Sequence, residues 1–135
     1  MFLLDTNVIS ELRRARPHGA VLAWLNEVSG TDVNIAAATI GEIQSGIEIT
    51  REPDTVRAEE LEKWLSQVSV AYNILSMDAE TFRIWAKLMH RKQDKLSSDA
   101  MFAATALQYN LIVVTRNTKD FGTFGVKLFN PFLKV

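Results

Sequence analysis

At 135 residues the chain is long enough to bury a core as a single domain spanning 1–135 without covalent staples, and 47% hydrophobic with 23% charged residues is ordinary for a globular protein. The absence of cysteine excludes disulfides and thiolate-bound zinc and suits a reducing, cytoplasmic setting. A formal net charge of -1, from 15 basic and 16 acidic residues, excludes the overall basic character of a constitutive nucleic-acid binder, yet lets acids gathered at one site offset bases elsewhere.

Phe2-Leu3-Leu4 is a short apolar run followed by Asp5-Thr6-Asn7, which predicts a buried strand entering a turn. Helical stretches are expected over 8–14 and 20–27, a second strand over 32–37 and a helix over 39–50. Residues 54–69 predict a long amphipathic helix, with Leu61, Trp64, Leu65 and Val68 at the three-and-four spacing. A third strand is expected over 72–75, after which Asp78 caps a helix running towards His90 with Phe82, Trp85 and Met89 on one face. An alanine-rich helix over 98–110, a buried strand over 111–115 and a short last strand over 126–129 follow, before Asn130-Pro131. Strands apolar on both faces and separated by helices predict an α/β fold, a three-layer α/β/α sandwich around a parallel sheet. No apolar run is long enough to span a membrane, and no positively charged start followed by a long apolar stretch marks a secretory signal.

Four acids fall at the ends of these elements. Asp5 closes the first strand, Glu42 opens the helix after the second, Asp99 opens the helix leading into the fourth, and Asp120 follows that strand. In an open parallel sheet ligands bind beyond the carboxyl ends of the strands, so the four can meet at one edge. Each acid alone has a plainer explanation. Asp5 can cap the helix after it, Thr39 and Glu42 fit a capping box, Asp99 is a favourable charge at a helix start, and Asp120 can be an ordinary loop acid. If they converge, each close pair repels by about 4 kcal/mol at about 4 Å and an effective dielectric near 20, and the fold needs a compensating cation. All-oxygen ligands suit Mg²⁺ or Mn²⁺.

The same residues lie in segments with a family likeness. Phe2-Leu3-Leu4-Asp5-Thr6-Asn7-Val8-Ile9-Ser10-Glu11-Leu12 resembles the opening of PIN-domain toxins of the VapC and FitB kind. Thr39-Ile40-Gly41-Glu42-Ile43-Gln44-Ser45-Gly46-Ile47 resembles their second acidic motif, Asp99-Ala100-Met101-Phe102-Ala103-Ala104-Thr105-Ala106 the third, and Val113-Val114-Thr115-Arg116-Asn117-Thr118-Lys119-Asp120-Phe121 the fourth. The resemblance covers essentially the whole chain, in the right order. It implies a PIN-like sandwich with an acidic pocket for Mg²⁺ or Mn²⁺, and ribonuclease activity blocked by a cognate antitoxin. It also implies a homodimer, and operator DNA bound only through the antitoxin. Carried over by position, Asp5 and Asp99 are the expected direct metal ligands. Glu42 contributes directly or through water, and Asp120 completes the site or holds a second ion. Thr6, Thr115 and Asn117 are expected to support the carboxylates by hydrogen bonding. Two features depart from the family's habit: Lys95-Leu96-Ser97-Ser98 stands where an apolar stretch is usual, and Phe102 where an aliphatic residue is usual.

Other features divide between chemistry and packing. Neither His18 nor His90 has metal-ligand spacing, and both read as surface residues. Arg116, between a strand end and a motif acid, is the favoured RNA contact, whereas Arg13-Arg14-Ala15-Arg16 and His90-Arg91-Lys92 read equally as solvated helix ends. Trp24, Trp64 and Trp85 have the spacing of core or interface residues rather than of base-stacking platforms. A haloacid-dehalogenase-type phosphatase needs a second aspartate two residues after the first, where this chain has Asn7. The non-enzyme alternative is a PIN-like module that binds RNA or protein without cutting.

Overall fold

Phe2-Leu3-Leu4 forms the central strand of a five-stranded, all-parallel sheet in the computed structural model, which describes residues 1–133. The strands are β1 (Phe2–Leu4), β2 (Val33–Ala36), β3 (Asn73–Leu75), β4 (Ile112–Val114) and β5 (Lys127–Phe129), in the spatial order β3-β2-β1-β4-β5. Leu3 pairs with Asn34 on one side and Val113 on the other, and Leu4 with Val114. The chain winds outward from β1 through β2 to β3, then returns to place β4 against the free side of β1. The β1–β4 boundary is therefore where the direction of winding reverses.

Alternation along the strands separates two apolar layers. Leu3, Ala36 and Val113 pack on one face against Ala100, Phe102, Ala103 and Ala106 of α6 (Ser97–Tyr109) and Phe121 of α7 (Thr118–Gly122). Leu4, Val33, Ile35 and Val114 pack on the other against Val8 and Ile9 of α1 (Thr6–Ile9), Val21 of α2 (Gly19–Glu27) and Val68 of α4 (Thr55–Ala71). Small side chains on α6 let its backbone lie close to the sheet. The helix ends where Asn110 takes a left-handed φ of 53°, a conformation asparagine tolerates better than most residues. α3 (Ala37–Arg51) and α4 form a hairpin closed by Ile47, Ala58 and Leu65. At its end Arg51 binds Glu48, Glu59 and Glu62 at 3.0, 2.9 and 2.6 Å. α5 (Ala79–Met89) starts at Asp78 as expected, in a capping box with Thr81 that Gln108 of α6 joins.

Three expectations change. The helix expected over 8–14 begins earlier, at Thr6 under the Asp5 cap, and breaks after Ile9 into a 3₁₀ turn, Ser10–Arg13. α3 begins at Ala37 rather than residue 39, because Ala37 and Ala38 are good helix formers. The Thr39–Glu42 capping box therefore does not form: Ala36 is the cap residue, and the buried Thr39 hydroxyl has no partner among the described residues. The short helix α7 was not expected. The polar segment before Asp99 is accommodated by a 3₁₀ turn, Asp94–Leu96, with Leu96 packed on the core and the Trp85 indole donating to the Ser97 carbonyl at 3.2 Å. Phe102 is fully buried, 5.3 Å from the Phe121 ring.

Candidate active site

Asp5 stands at the carboxyl end of β1, against β4, at the reversal of winding where open parallel sheets place their ligands. Its amide extends the ladder by donating to the Val114 carbonyl at 2.9 Å, which turns the side chain over the end of the sheet. Only 8% of the residue is exposed. One carboxylate oxygen accepts from the Thr6 amide at 2.8 Å; the other accepts from the Thr115 hydroxyl at 2.7 Å and from Asn7 Nδ2 at 3.0 Å. Burial pushes the carboxyl above its ordinary value, and the hydrogen bonds from Thr115, Thr6 and Asn7 draw it partly back.

Thr115 ties the two strands together. Its hydroxyl donates to Asp5 and accepts from the Asn117 amide at 2.9 Å, with Asn7 Nδ2 also in reach at 3.4 Å. Asn7 closes the loop by accepting from the Arg116 amide at 3.3 Å. Thr6 and Asn117 thus support this cluster with backbone amides. The Thr6 hydroxyl is buried without a partner among the described residues. Asn7 is a supporting residue that the sequence reading used only to exclude a phosphatase. Its signal was present: an asparagine two residues after a strand-ending aspartate readily bonds back to it.

Glu42 and Asp99 lie near enough to Asp5 to feel its charge, and Asp120 near enough to Asp99. Glu42 lies in α3, after β2, and lines a groove of about 260 Å³ with Thr6, Ser10, Arg13 and Trp64. Its carboxyl is raised by partial burial and by the negative charges of Asp5 and Asp99. Asp99, in the first turn of α6, is raised by burial and by the charges of Asp5 and Asp120. Asp120 lies exposed in the first turn of α7. Asp5, Glu42 and Asp99 are thus linked by like charge, Asp120 joins them through Asp99, and none of the four is ion-paired among the described residues. No three His, Cys, Asp or Glu side chains among the described residues form a ready-made ion-gripping cluster. The donor chemistry nevertheless fits a hard divalent cation. All donors are oxygen, the charge is uncompensated, and Mg²⁺ commonly takes one or two carboxylates and keeps several waters.

The surrounding residues sort into packing and surface. Trp24 packs between Phe2 and Phe129 at 5.1 and 5.4 Å, and Trp64 lies beneath the Arg13 guanidinium at 5.8 Å. His90 is exposed, but His18 is half-buried rather than on the surface: its ring packs 5.0 Å from Phe132 while its amide donates to the buried Glu11 at 2.8 Å. Arg116 is exposed and lies over the Phe132 ring at 3.8 Å.

Comparison with known proteins agrees with this architecture. Residues 2–125 match the family described as PIN domain. The chain is 36% identical to Toxin FitB of Neisseria gonorrhoeae, an alignment covering 98% of this chain and 99% of that protein. It is 34% identical to the VapC ribonuclease Y4jK of Sinorhizobium fredii, with 98% of each covered. The fold superposes on the structure of FitAB bound to the IR36 DNA fragment with a TM-score of 0.83 and 32% identity, over 100% of this chain and 98% of that one. The chain belongs to the PIN-domain family.

Proposed function

We propose that this protein is a divalent-metal-dependent endoribonuclease and the toxin of a type II toxin–antitoxin pair, acting in the cytoplasm. The observation that carries the reading is the group of carboxylates without cationic partners around a buried Asp5, which Thr115 fixes at the switch point of the sheet: Glu42 and Asp99 both feel the charge of Asp5, and Asp99 that of Asp120. Similarity to a protein named as a ribonuclease and to one named as a toxin supports the same reading.

Asp5 and Asp99 would hold Mg²⁺ or Mn²⁺, Glu42 would join directly or through water, and Asp120 would complete the site or serve a second ion. When bound, the ion lowers the pKa of its water and offsets charge developing on a phosphodiester. The chain's own contribution is orientation. Thr115, Asn7 and the Thr6 amide fix the Asp5 carboxylate in one rotamer, and one of the four acids accepts the proton released by the attacking water. Arg116, exposed beside this cluster, would meet a phosphate of the RNA. A cognate antitoxin would block the groove, and operator DNA would be reached through that partner, by analogy with the FitAB–DNA assembly. The active form is proposed as a homodimer. No described helix is long and apolar enough to cross a membrane.

Purified protein incubated with mixed single-stranded and transfer RNA should cut in Mg²⁺ or Mn²⁺ and not in EDTA, and Asp5→Asn should reduce cutting to background while leaving the fold intact. Full activity in that variant would remove Asp5 from the chemistry. Metal binding without cleavage of any RNA would favour the non-catalytic module instead.

A further inference from the structure

The groove that holds Glu42 does not end at the acids. A second recess, of about 210 Å³, adjoins it and is walled by Arg13, Arg57, Glu60, Leu61 and Trp64; a third, of about 510 Å³, is walled by Arg13, Arg14, Arg16 and Arg57. Arg13 lines all three recesses, which therefore adjoin one another in a track that carries Glu42 at one end and only arginines as charged groups at the other. We infer that this track, from Glu42 past Arg13 and Trp64 to Arg16 and Arg57, holds the phosphates of single-stranded RNA on one side of the scissile bond. This inference rests on the ribonuclease reading above.

The arginines differ in how they are held. Arg14 is committed to the buried Glu11 at 2.9 Å, and Arg57 touches the exposed Glu60 at 3.3 Å. Arg13 and Arg16 have no ion-pair partner among the described residues. The Arg13 guanidinium lies over the Trp64 ring at 5.8 Å, within cation–π range, and its forked donors remain without a carboxylate partner among the described residues. A solvated helix end does not account for this arrangement. Arg13 ends a 3₁₀ turn of 4 residues, Ser10–Arg13, Arg16 lies beyond it, and Arg57 sits in the first turn of α4, where the helix dipole disfavours a cation. The charge pattern suits a polyanion's path: Glu42 where a cation can mediate contact with the reacting phosphate, arginines where flanking phosphates are met directly.

The test separates this track from the nuclease reading by measuring binding without cleavage. Fluorescence anisotropy of a labelled single-stranded RNA in EDTA is compared for the wild type and for Arg13→Ala/Arg16→Ala/Arg57→Ala. The triple variant should bind at least about tenfold more weakly, whatever the sequence, and the log–log slope of affinity against salt should fall by about 2. In Mg²⁺ its KM for long RNA should rise correspondingly. Should the triple variant fail to fold, Arg16→Glu, on an exposed residue, replaces it and is expected to weaken binding severalfold. A wild type that binds RNA through these arginines but cuts none overturns the nuclease reading and leaves the track standing. A wild type that cuts RNA, beside a triple variant with unchanged affinity and salt slope, overturns the track.

Discussion

Thr115 is the residue on which the geometry of Asp5 depends most. Thr115→Val keeps the shape but takes a 2.7 Å donor from a buried carboxylate and leaves the Asn117 amide without its acceptor. Losses of this kind cost about 1–3 kcal/mol, so a denaturant melt should show clear destabilisation, and cleavage should fall about 10–100-fold because the carboxylate is no longer oriented. The acids also set a pH dependence. Asp5, Glu42 and Asp99 keep their protons to higher pH in the native state than in the unfolded chain. The metal-free protein therefore gains stability as pH falls from neutrality towards the unfolded carboxyl range near pH 4. Below that range the balance reverses. Glu11 would be raised by burial but is held low overall by the His18 amide and Arg14, and Asp78 is held low by the Thr81 amide and hydroxyl; both then take up protons at the native state's expense. Thermal melts in EDTA should peak on the acid side of neutrality, and Asp5→Asn should flatten the rise; a maximum in alkali would contradict the like-charge account. All four acids were legible as candidates because each lies at or just beyond the end of an expected strand or helix, and Thr115 because its segment resembles the fourth motif of the family. That Thr6 and Asn117 act through backbone amides was not, because residue type does not disclose which of its groups a turn presents.

Helix α6 joins packing to chemistry, since its buried alanines set its distance from the sheet and its first turn carries Asp99. Ala103→Leu adds volume where none is free and should cost about 1–3 kcal/mol, read as a lowered Tm. Cleavage should fall with it, since any shift of α6 displaces Asp99. The Arg51 cluster at the end of the α3–α4 hairpin looks extensive but is half-exposed, and Arg51→Met should cost less than about 1 kcal/mol in the same assay. All five strands could be located from sequence because short doubly apolar runs between polar ends have few other uses. Helix boundaries were harder to place. α3 starts two residues early because nothing in Ala37-Ala38 resists the helix, and the five residues of α7 are too few to display a period. The break after Ile9 likewise left no mark in composition, and Arg13 ends the 3₁₀ turn that follows it, over the Trp64 ring.

At the scale of the molecule, parallel strands were predictable but their order was not, because apolar runs of similar length do not say which of them neighbours β1. The observed order makes β1 central and seats β4 between it and β5. This arrangement has a consequence in time. Translation makes β1 first, and Asp5 with it, but Thr115 arrives only with β4, after β2, β3 and six helices. Until then β1 is an open edge with apolar side chains on both faces, and Asp5 lacks the hydroxyl that holds it and the nearby charge of Asp120 beyond Asp99. Closing the sheet and completing the acidic cluster are one event. A chain interrupted before β4 carries the first three motif acids and no assembled centre, so the proposed nuclease is inert throughout most of its own synthesis.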